Sequence, residues 1–402
     1  MNNISQIKDC YGCGVCATIC PKKIITISLN EEGFYQPSIT MEDKCVDCGL
    51  CLTVCAFHHQ ELSLNNHSIH SYAAWSNDKA VRRKCSSGGV GFELGQALID
   101  LGYKVCGVRY NPDTQRAEHY IASSKEELIQ SAGSKYIQSY TLDGFNAINR
   151  KEKYLITGTP CQIDSFRRLI KKQRVEDNFV LMDFFCHGVP SMLVWKKYVQ
   201  QVEKITGPIT YASWRNKITG WHDSWAIAID GKEHGEKVNW HDSYNMLIRE
   251  KKCYYNSRLS QGDLFYKFFL GNMCLGKACY QHCKYKYNQS SADIRIGDLW
   301  GSTYEDNEDG VSAAIAFTDK GNELLKKCNC TFVEHPFDIV AEGQMRLCLD
   351  MPPVRKQIIK KLQSRKSLQS ISRFYELYQI PQKIQHLPKR IINKIIRVLR
   401  HE

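Results

Sequence analysis

Between residues 89 and 298 the apolar positions switch between two periods. Four runs rich in β-branched and aromatic residues, YKVCGVRY (103–110), YLITGT (154–159), FVLMDFFC (179–186) and DIRIGD (293–298), predict strands. Apolar residues at helical spacing fill GVGFELGQALIDLG (89–102), ahead of the first run, and PSMLVWKKYVQQVEKI (190–205), after the third. Strands alternating with helices predict an α/β domain over 72–346 with a mainly parallel sheet, whose strand order the pattern does not determine. Ligands of such sheets gather beyond the carboxyl ends of the strands. Cys161 in TGTPCQ, Cys186 ahead of HGVP and Asp298 in GDLWG all stand at such ends. The polar stretch NNHSIHS (65–71) predicts a linker to a separate N-terminal module over 1–64.

A third pattern closes the chain, where 354–402 predicts a basic helical tail. In LPKRIINKIIRVLRHE (387–402), Ile391, Ile392, Ile395, Ile396 and Leu399 share one helical face, Lys389, Arg390, Lys394, Arg397 and Arg400 lie largely elsewhere, and Pro388 suits a first turn. Such a helix can lie in the headgroup plane of a membrane, each basic residue contributing about 1 kcal/mol near an anionic leaflet. Docking on the body or on a partner explains the same amphipathicity.

Charge follows the same division. From Arg355 to Glu402 there are 13 Lys/Arg and two Glu, so the preceding 354 residues hold 41 basic and 40 acidic side chains. A neutral body lacks the basic stripe of a nucleic-acid-binding face, and no nucleic-acid partner is expected. The 402 residues, 43% hydrophobic, suffice for about two to three domains with proper cores. The start, MNNISQIKDC, has no apolar stretch resembling a secretory signal, and no later run approaches about 18 uncharged apolar residues. The expected location is cytoplasmic, with peripheral contact at the inner face of the membrane if the tail binds lipid. In that compartment 19 cysteines are metal ligands and reduced thiols.

Eight of those cysteines fall in the first 55 residues as two copies of one spacing: Cys10, Cys13, Cys16, Cys20 and Cys45, Cys48, Cys51, Cys55. CYGCGVCATICP against CVDCGLCLTVCA is the signature of a two-cluster bacterial ferredoxin, with Ala56 where the first copy has Pro21. The module is expected to have an α+β, ferredoxin-like fold. Zinc accounts for C-x2-C pairs but not for a third and fourth cysteine at repeated offsets. In the ferredoxin pattern the ligand sets cross: Cys10, Cys13, Cys16 and Cys55 on one 4Fe-4S cube, Cys45, Cys48, Cys51 and Cys20 on the other.

Further candidates lie in the body. Two of Cys274, Cys279 and Cys283, in MCLGKACYQHCKYK, would complete a four-thiolate site with Cys161 and Cys186; the alternative for each is a small buried hydrophobe. Cys85, Cys106, Cys253, Cys328, Cys330 and Cys348 have no ligand spacing. In CSSGG, the hydroxyls of Ser86 and Ser87 precede Gly88 and Gly89 at a helix start, where a phosphate can approach free N–H groups; an ordinary capped helix has the same pattern. SAGSKYIQS adds Gly133, Ser134, Lys135 and Tyr136, suited to phosphate and ring contacts or to a solvated turn.

CSSGG, AGSKYIQS, TGTPCQ, CHGVPS and GDLWG, in this order behind a ferredoxin module, resemble the beta subunit of coenzyme F420-reducing hydrogenase and formate dehydrogenase over roughly residues 1–345. The resemblance implies FAD beside a 4Fe-4S cluster, with Cys161, Cys186, Cys279 and Cys283 as ligands of a third cluster and Ser86, Ser87, Gly88, Gly89, Gly133, Ser134, Lys135 and Tyr136 lining the FAD pocket. The last two cysteines are spaced C-x3-C here against C-x2-C in relatives, which keeps Cys274 open as a substitute. The function this implies is an iron–sulfur flavoprotein oxidoreductase. It would pass electrons between clusters and an FAD that exchanges hydride with coenzyme F420 or another organic carrier, with a ferredoxin or other redox protein as partner. Bacterial members often accompany polysaccharide-assembly enzymes, so a ferredoxin-dependent reductase of a polysaccharide or isoprenoid intermediate is an alternative, and a non-catalytic electron-transfer subunit another. No catalytic residue is assigned. His187 beside Cys186 reads as a proton donor or a structural histidine, and Lys217, Trp221 and His222 as substrate-facing residues or sheet packing.

Overall fold

The structure, a computed structural model, describes residues 2–64, 69–232, 255–280 and 282–385. The amphipathic segment 387–402, Cys253 and most of the linker lie outside the described residues. Among those described, no helix is long and apolar enough to cross a membrane.

In the N-terminal module β1 (Ile25–Leu29) pairs antiparallel with β2 (Tyr35–Ile39). The body's first strands are β3 (His70–Ser76), β4 (Tyr103–Asn111), β5 (Arg116–Ala122), β6 (Ser139–Tyr140), β7 (Lys153–Thr157) and β8 (Phe179–Phe184). After them come β9 (Ile209–Ser213), β10 (Ala226–Gly231) and β11 (Tyr255–Arg258), which form a small antiparallel sheet. Last are β12 (Ile294–Asp298), β13 (Ser312–Ala316) and β14 (Cys330–Glu334).

Nine strands make one sheet in the order β14-β3-β13-β12-β8-β7-β4-β5-β6. Its centre, β12, β8, β7 and β4, is parallel and coincides with the four runs read from the sequence. Its flanks are largely not: β13 pairs antiparallel with β12 and β3, β14 with β3, and β5 with β4, and only the short β6 returns parallel to β5. The sheet is therefore mixed rather than mainly parallel. Asn111 and Arg116 are register partners, and the residues between them form a tight turn too short for the crossover that a parallel neighbour requires. At the other flank β13 is SAAIA, too poor in β-branched and aromatic residues to announce a strand.

Successive side chains of the central strands point to opposite faces, and each face is covered by a helix. Val105, Leu155, Val180 and Ile294 meet Val90, Leu94 and Leu98 of the helix Val90–Asp100. Cys106, Ile156 and Leu181 meet Ile163, Phe166 and Ile170 of the helix Pro160–Gln173. Between β8 and β12, Asp183 and Arg295 are register partners that are both fully buried; the guanidinium donates to both carboxylate oxygens at 2.7 Å.

Two regions read as appendages are built into the body. Ile358, Ile359, Leu362, Leu368 and Ile371, from the helices Arg355–Gln363 and Leu368–Gln385, are buried with Trp195, Val199 and Val202 of the helix Met192–Thr206. The tail's first half thus closes a core. The N-terminal module is docked as closely. Tyr35 N–H donates to Gln138 Oε1 (2.9 Å), Thr141 Oγ1 to Cys13 O (2.9 Å), Ala56 N–H to Ser165 Oγ (3.0 Å), and Lys284 Nζ to the carbonyls of Ala56, His59 and Glu61.

His119 on β5 is 1% exposed, its Nε2 donating to Thr157 O at 3.0 Å, and burial pulls its pKa from 6.5 down to about 4. The unfolded chain therefore takes up a proton below pH 6.5 that the folded chain refuses, so stability falls with pH through this window, by about 2 kcal/mol at pH 5. Denaturant unfolding at pH 7.5 and pH 5 should show His119→Gln, which keeps a donor for Thr157 O, losing about 2 kcal/mol less than the wild type over that interval.

Candidate functional site

The carboxyl ends of β7, β8 and β12 open onto a cavity of about 430 Å³, with Thr157, Phe184 and Asp298 in its lining. Ser86, Ser87, Gly89, Gly133, Ser134, Lys135 and Tyr136 also line it, and Val105, Val108, Met182 and Ile296 give it an apolar floor. Gly88 is absent from the lining: a Cβ there would collide with Ala74 O on β3, so this glycine serves close packing against the sheet. Gly89 has φ +92°, and a Cβ would point to Ser76 and Val81, so its glycine answers to the backbone turn. Gly133, at φ +78°, faces open space, where the nearest atom to a Cβ would be Ser86 Oγ at 4.0 Å. The two loops are tied by Ser134 N–H donating to Ser86 Oγ (2.8 Å). Ser87 instead donates to Val311 O (2.7 Å).

Lys135 behaves otherwise than a phosphate-seeking side chain. Its Nζ donates to the carbonyls of Gln130, Ala132 and Gly133 at 3.0 to 3.2 Å, using three donors on its own loop. The residue is half-open to the cavity, but its ammonium is enclosed, and burial pulls its pKa down to about 7. Lys217 repeats the arrangement on the carbonyls of Arg82, Ser87 and Asp309, and burial pulls it to about 8.

A wall of the cavity that the strand pattern did not announce is aromatic. Arg215, 1% exposed, lies beside both Trp225 and Trp300, its guanidinium 4.7 and 5.2 Å from their ring centroids. It donates to both Asp298 oxygens (3.0 and 3.2 Å), to Tyr136 OH (3.2 Å) and to Ser86 O (3.2 Å). Burial opposes its charge, but Asp298 and Tyr136 more than offset that and hold its pKa raised. Trp221 Nε1 donates to Asp298 Oδ1 (2.8 Å), and its ring stacks on Trp300 at 4.9 Å. Asp298 is thus fully engaged in positioning Arg215 and Trp221. The tryptophan density of GWHDSW, which holds Trp221 and Trp225, was the available signal, and Trp300 stands in GDLWG; Arg215 carried none of its own. His222 is exposed, paired with Glu308 at 3.0 Å and outside the cavity lining. His187 lines the cavity, burial lowering its pKa, with Nε2 2.6 Å from Asn272 Oδ1 and the ring packed on Phe269.

Cys161, Cys186, Cys279 and Cys283 line a second cavity of about 50 Å³. Cys161 lies in the first turn of the helix Pro160–Gln173, where the backbone dipole favours negative charge. The loop after β8 and the segment at 274–276 are joined by Ser191 N–H to Cys274 O and Gly276 N–H to Val189 O, both 3.0 Å, which brings Cys186 beside Cys279. Cys274 is absent from this lining and fully buried in the apolar core. Burial raises the pKa of Cys161 and Cys186 and pushes Cys279 up to about 12, and neighbouring sulfurs add to it. Thiolates gathered in this half-buried pocket would need a cationic centre, which suits an iron–sulfur core. Cys186, Gly188, Val189, Tyr285 and Lys286 line this cavity and the larger one alike. Lys286 Nζ donates to Cys186 O (2.6 Å) and His187 O (3.1 Å).

In the module, Cys20, Cys45, Cys48 and Cys51 surround a cavity of about 30 Å³. Cys10, Cys13 and Cys55 are near enough to raise the energy of one another's charge, as Cys16 is to Cys10, Cys13 and Cys55; burial, the larger cause, pushes Cys10 to about 12 and Cys55 to about 11. The two motifs fold alike: Gly14 (φ +76°) and Gly49 (φ +69°) each turn the chain into a short helix that carries the third cysteine, Cys16 or Cys51. Cys10 also lines the 50 Å³ cavity. Among the described residues no three Cys, His, Asp or Glu converge closely enough for a single metal ion.

Two outcomes follow. Anaerobically reconstituted chain should hold about 12 iron atoms, falling to about 8 in Cys161→Ala and unchanged in Cys274→Ala, as iron analysis reads directly. Asp298→Ala strands the Arg215 guanidinium without its counter-charge and should cost about 3–5 kcal/mol in denaturant unfolding.

Comparison with known proteins places these features. A 4Fe-4S dicluster domain model matches residues 9–58. The N-terminal and C-terminal models of the coenzyme F420 hydrogenase/dehydrogenase beta subunit match residues 71–144 and 151–334. Coenzyme F420 hydrogenase subunit beta of Methanococcus voltae is 32% identical over 124 residues, which span 28% of this chain and 44% of that one. A chain of the F420-reducing NiFe hydrogenase complex from Methanosarcina barkeri aligns at a TM-score of 0.45 and 16% identity, covering 79% of this chain and 94% of that one. With both halves of the subunit model following the dicluster domain in order, the chain belongs to the coenzyme F420 hydrogenase/dehydrogenase beta subunit family.

Proposed function

We propose that this chain is an iron–sulfur flavoprotein oxidoreductase, with FAD in the 430 Å³ cavity, a third 4Fe-4S cluster on Cys161, Cys186, Cys279 and Cys283, and two more clusters in the N-terminal module. The observation that carries the reading is the shared wall, since Cys186, Gly188 and Val189 face both cavities. A bound flavin would supply conversion between two-electron exchange with coenzyme F420 or another organic carrier and one-electron exchange with clusters.

The chain's own residues fit these tasks. The open space at Gly133 leaves room for a phosphate or ring edge beside the Ser86 hydroxyl. Tyr136, Trp225 and Trp300 offer flat faces, and their positions are held by Arg215. Phe185 and the apolar floor of Val105, Val108, Met182 and Ile296 give the cavity an apolar surface on which a ring system would pack. Lys286 holds the backbone of Cys186 and His187 and keeps a fixed positive charge between the two cavities.

Gly133→Asn tests the pocket, because asparagine tolerates a positive φ yet fills the space ahead of it. The variant should purify with wild-type iron and less than about a tenth of the flavin; full flavin retention overturns the pocket. In the wild type, bleaching of flavin absorbance by reduced F420 under anaerobic conditions supports carrier exchange. Bleaching only by a reduced ferredoxin favours a reductase of an organic intermediate, and a flavin-free protein favours an electron-transfer subunit.

A further inference from the structure

The three thiol sites form a row with one end at the surface. Cys10 links the third-cluster cavity to the first ferredoxin site, and Cys16 shares one buried hydrophobic cluster with Cys51 of the second. Burial differs sharply along the row. Cys16 and Cys55 are buried, whereas Cys48, at the far end, is the one exposed cysteine among those described. The segment around it is open: Met41 is 36% and Val46 61% exposed, and Glu42, Asp43, Lys44 and Asp47 are exposed beside them.

Two apolar side chains make a small contact, matching the limited area of transient electron-transfer encounters, below about 1,200 Å². The charges around them nearly cancel, since Lys22, Lys23 and Lys44 oppose Glu42, Asp43 and Asp47. A cluster bound there would then set the field at the rim, since an oxidised core with four thiolates carries about −2 and would gain another negative charge on reduction. A cationic partner is drawn to this face, more strongly when the module is reduced.

We propose that the face formed by Met41, Val46 and Cys48 is the electron port of the protein, docking a small one-electron carrier protein that has a cationic rim around its redox centre. The proposal rests on reading the module as a two-cluster carrier, though not on the flavin. With a cluster held by Cys20, Cys45, Cys48 and Cys51, one electron would pass from it to the carrier, the cluster oxidised and the carrier reduced by one unit, with no bond made or broken.

The probe is cytochrome c, a basic one-electron carrier, mixed anaerobically with dithionite-reduced full-length holoprotein. Glu42→Lys/Asp43→Lys should slow its reduction about fivefold at low ionic strength and flatten the salt dependence, with iron content and cluster spectra unchanged. Val46→Ser should slow it at every salt concentration. Glu334→Lys, at the exposed β14 edge of the large sheet, is the control and should leave the rate unchanged. Equal slowing by the β14 variant, or no change in the double variant, overturns the port. A flavin-free preparation that still shows the Glu42/Asp43 dependence keeps the port while removing the flavoprotein reading, so the two fail separately.

Discussion

Backbone carbonyls that have no strand or helix partner must still be satisfied once loops are folded over a cavity, and lysine solves this repeatedly here. Loops that line a binding site give up the ladder bonds that regular structure supplies. One ammonium offers three donors in a compact group. Lys135 spans Gln130 to Gly133, Lys217 joins the loops at Arg82, Ser87 and Asp309, and Lys284 clasps Ala56, His59 and Glu61 from the N-terminal module. Without these clasps the glycine-rich loop, the aromatic wall and the docked module would each hold an unpaired polar backbone. The positive charges are thus committed largely to architecture, although their field still reaches the cavity.

The thiol sites obey a related constraint. A buried thiolate is costly, and several together more so, which is why Cys10, Cys55 and Cys279 are all pushed up to about 11 or 12. Sites of this kind persist when a cationic core pays the electrostatic cost and when surrounding backbone is fixed in advance. Gly14 and Gly49 fix it in the module; in the body, the pairing of the Cys186 loop with the segment at 274–276 does so.

Legibility tracked the kind of signal each residue carries. Cysteine spacing is a direct record of geometry, so the motifs of the module were plain, and the strand runs correctly located the edge at which Cys161, Cys186 and Asp298 gather. Antiparallel flanks were hidden because β13 is built of alanine and serine and because β5 returns through a tight turn. Glycines were the hardest to apportion: Gly88, Gly89 and Gly133 look alike in a motif, yet one serves packing, one a backbone turn and one faces open space. The choice between Cys274 and its neighbours needed three dimensions, since only the fold shows that Cys274 packs among core side chains. Arg215 and Trp300 are far apart in sequence, and nothing short of tertiary structure announces their contact.

The wall common to both large cavities divides the molecule's freedom to vary. A change in Cys186, Gly188 or Val189 is felt on two sides at once, so the wiring cannot be altered one half at a time. Gly343, Gln344 and Met345 touch the larger cavity alone. Their contacts nonetheless run inward, Gly343 against Trp300, Gln344 to Asp298 O and Met345 to Lys286, so a change there reaches the aromatic wall first and the thiol site only through Lys286.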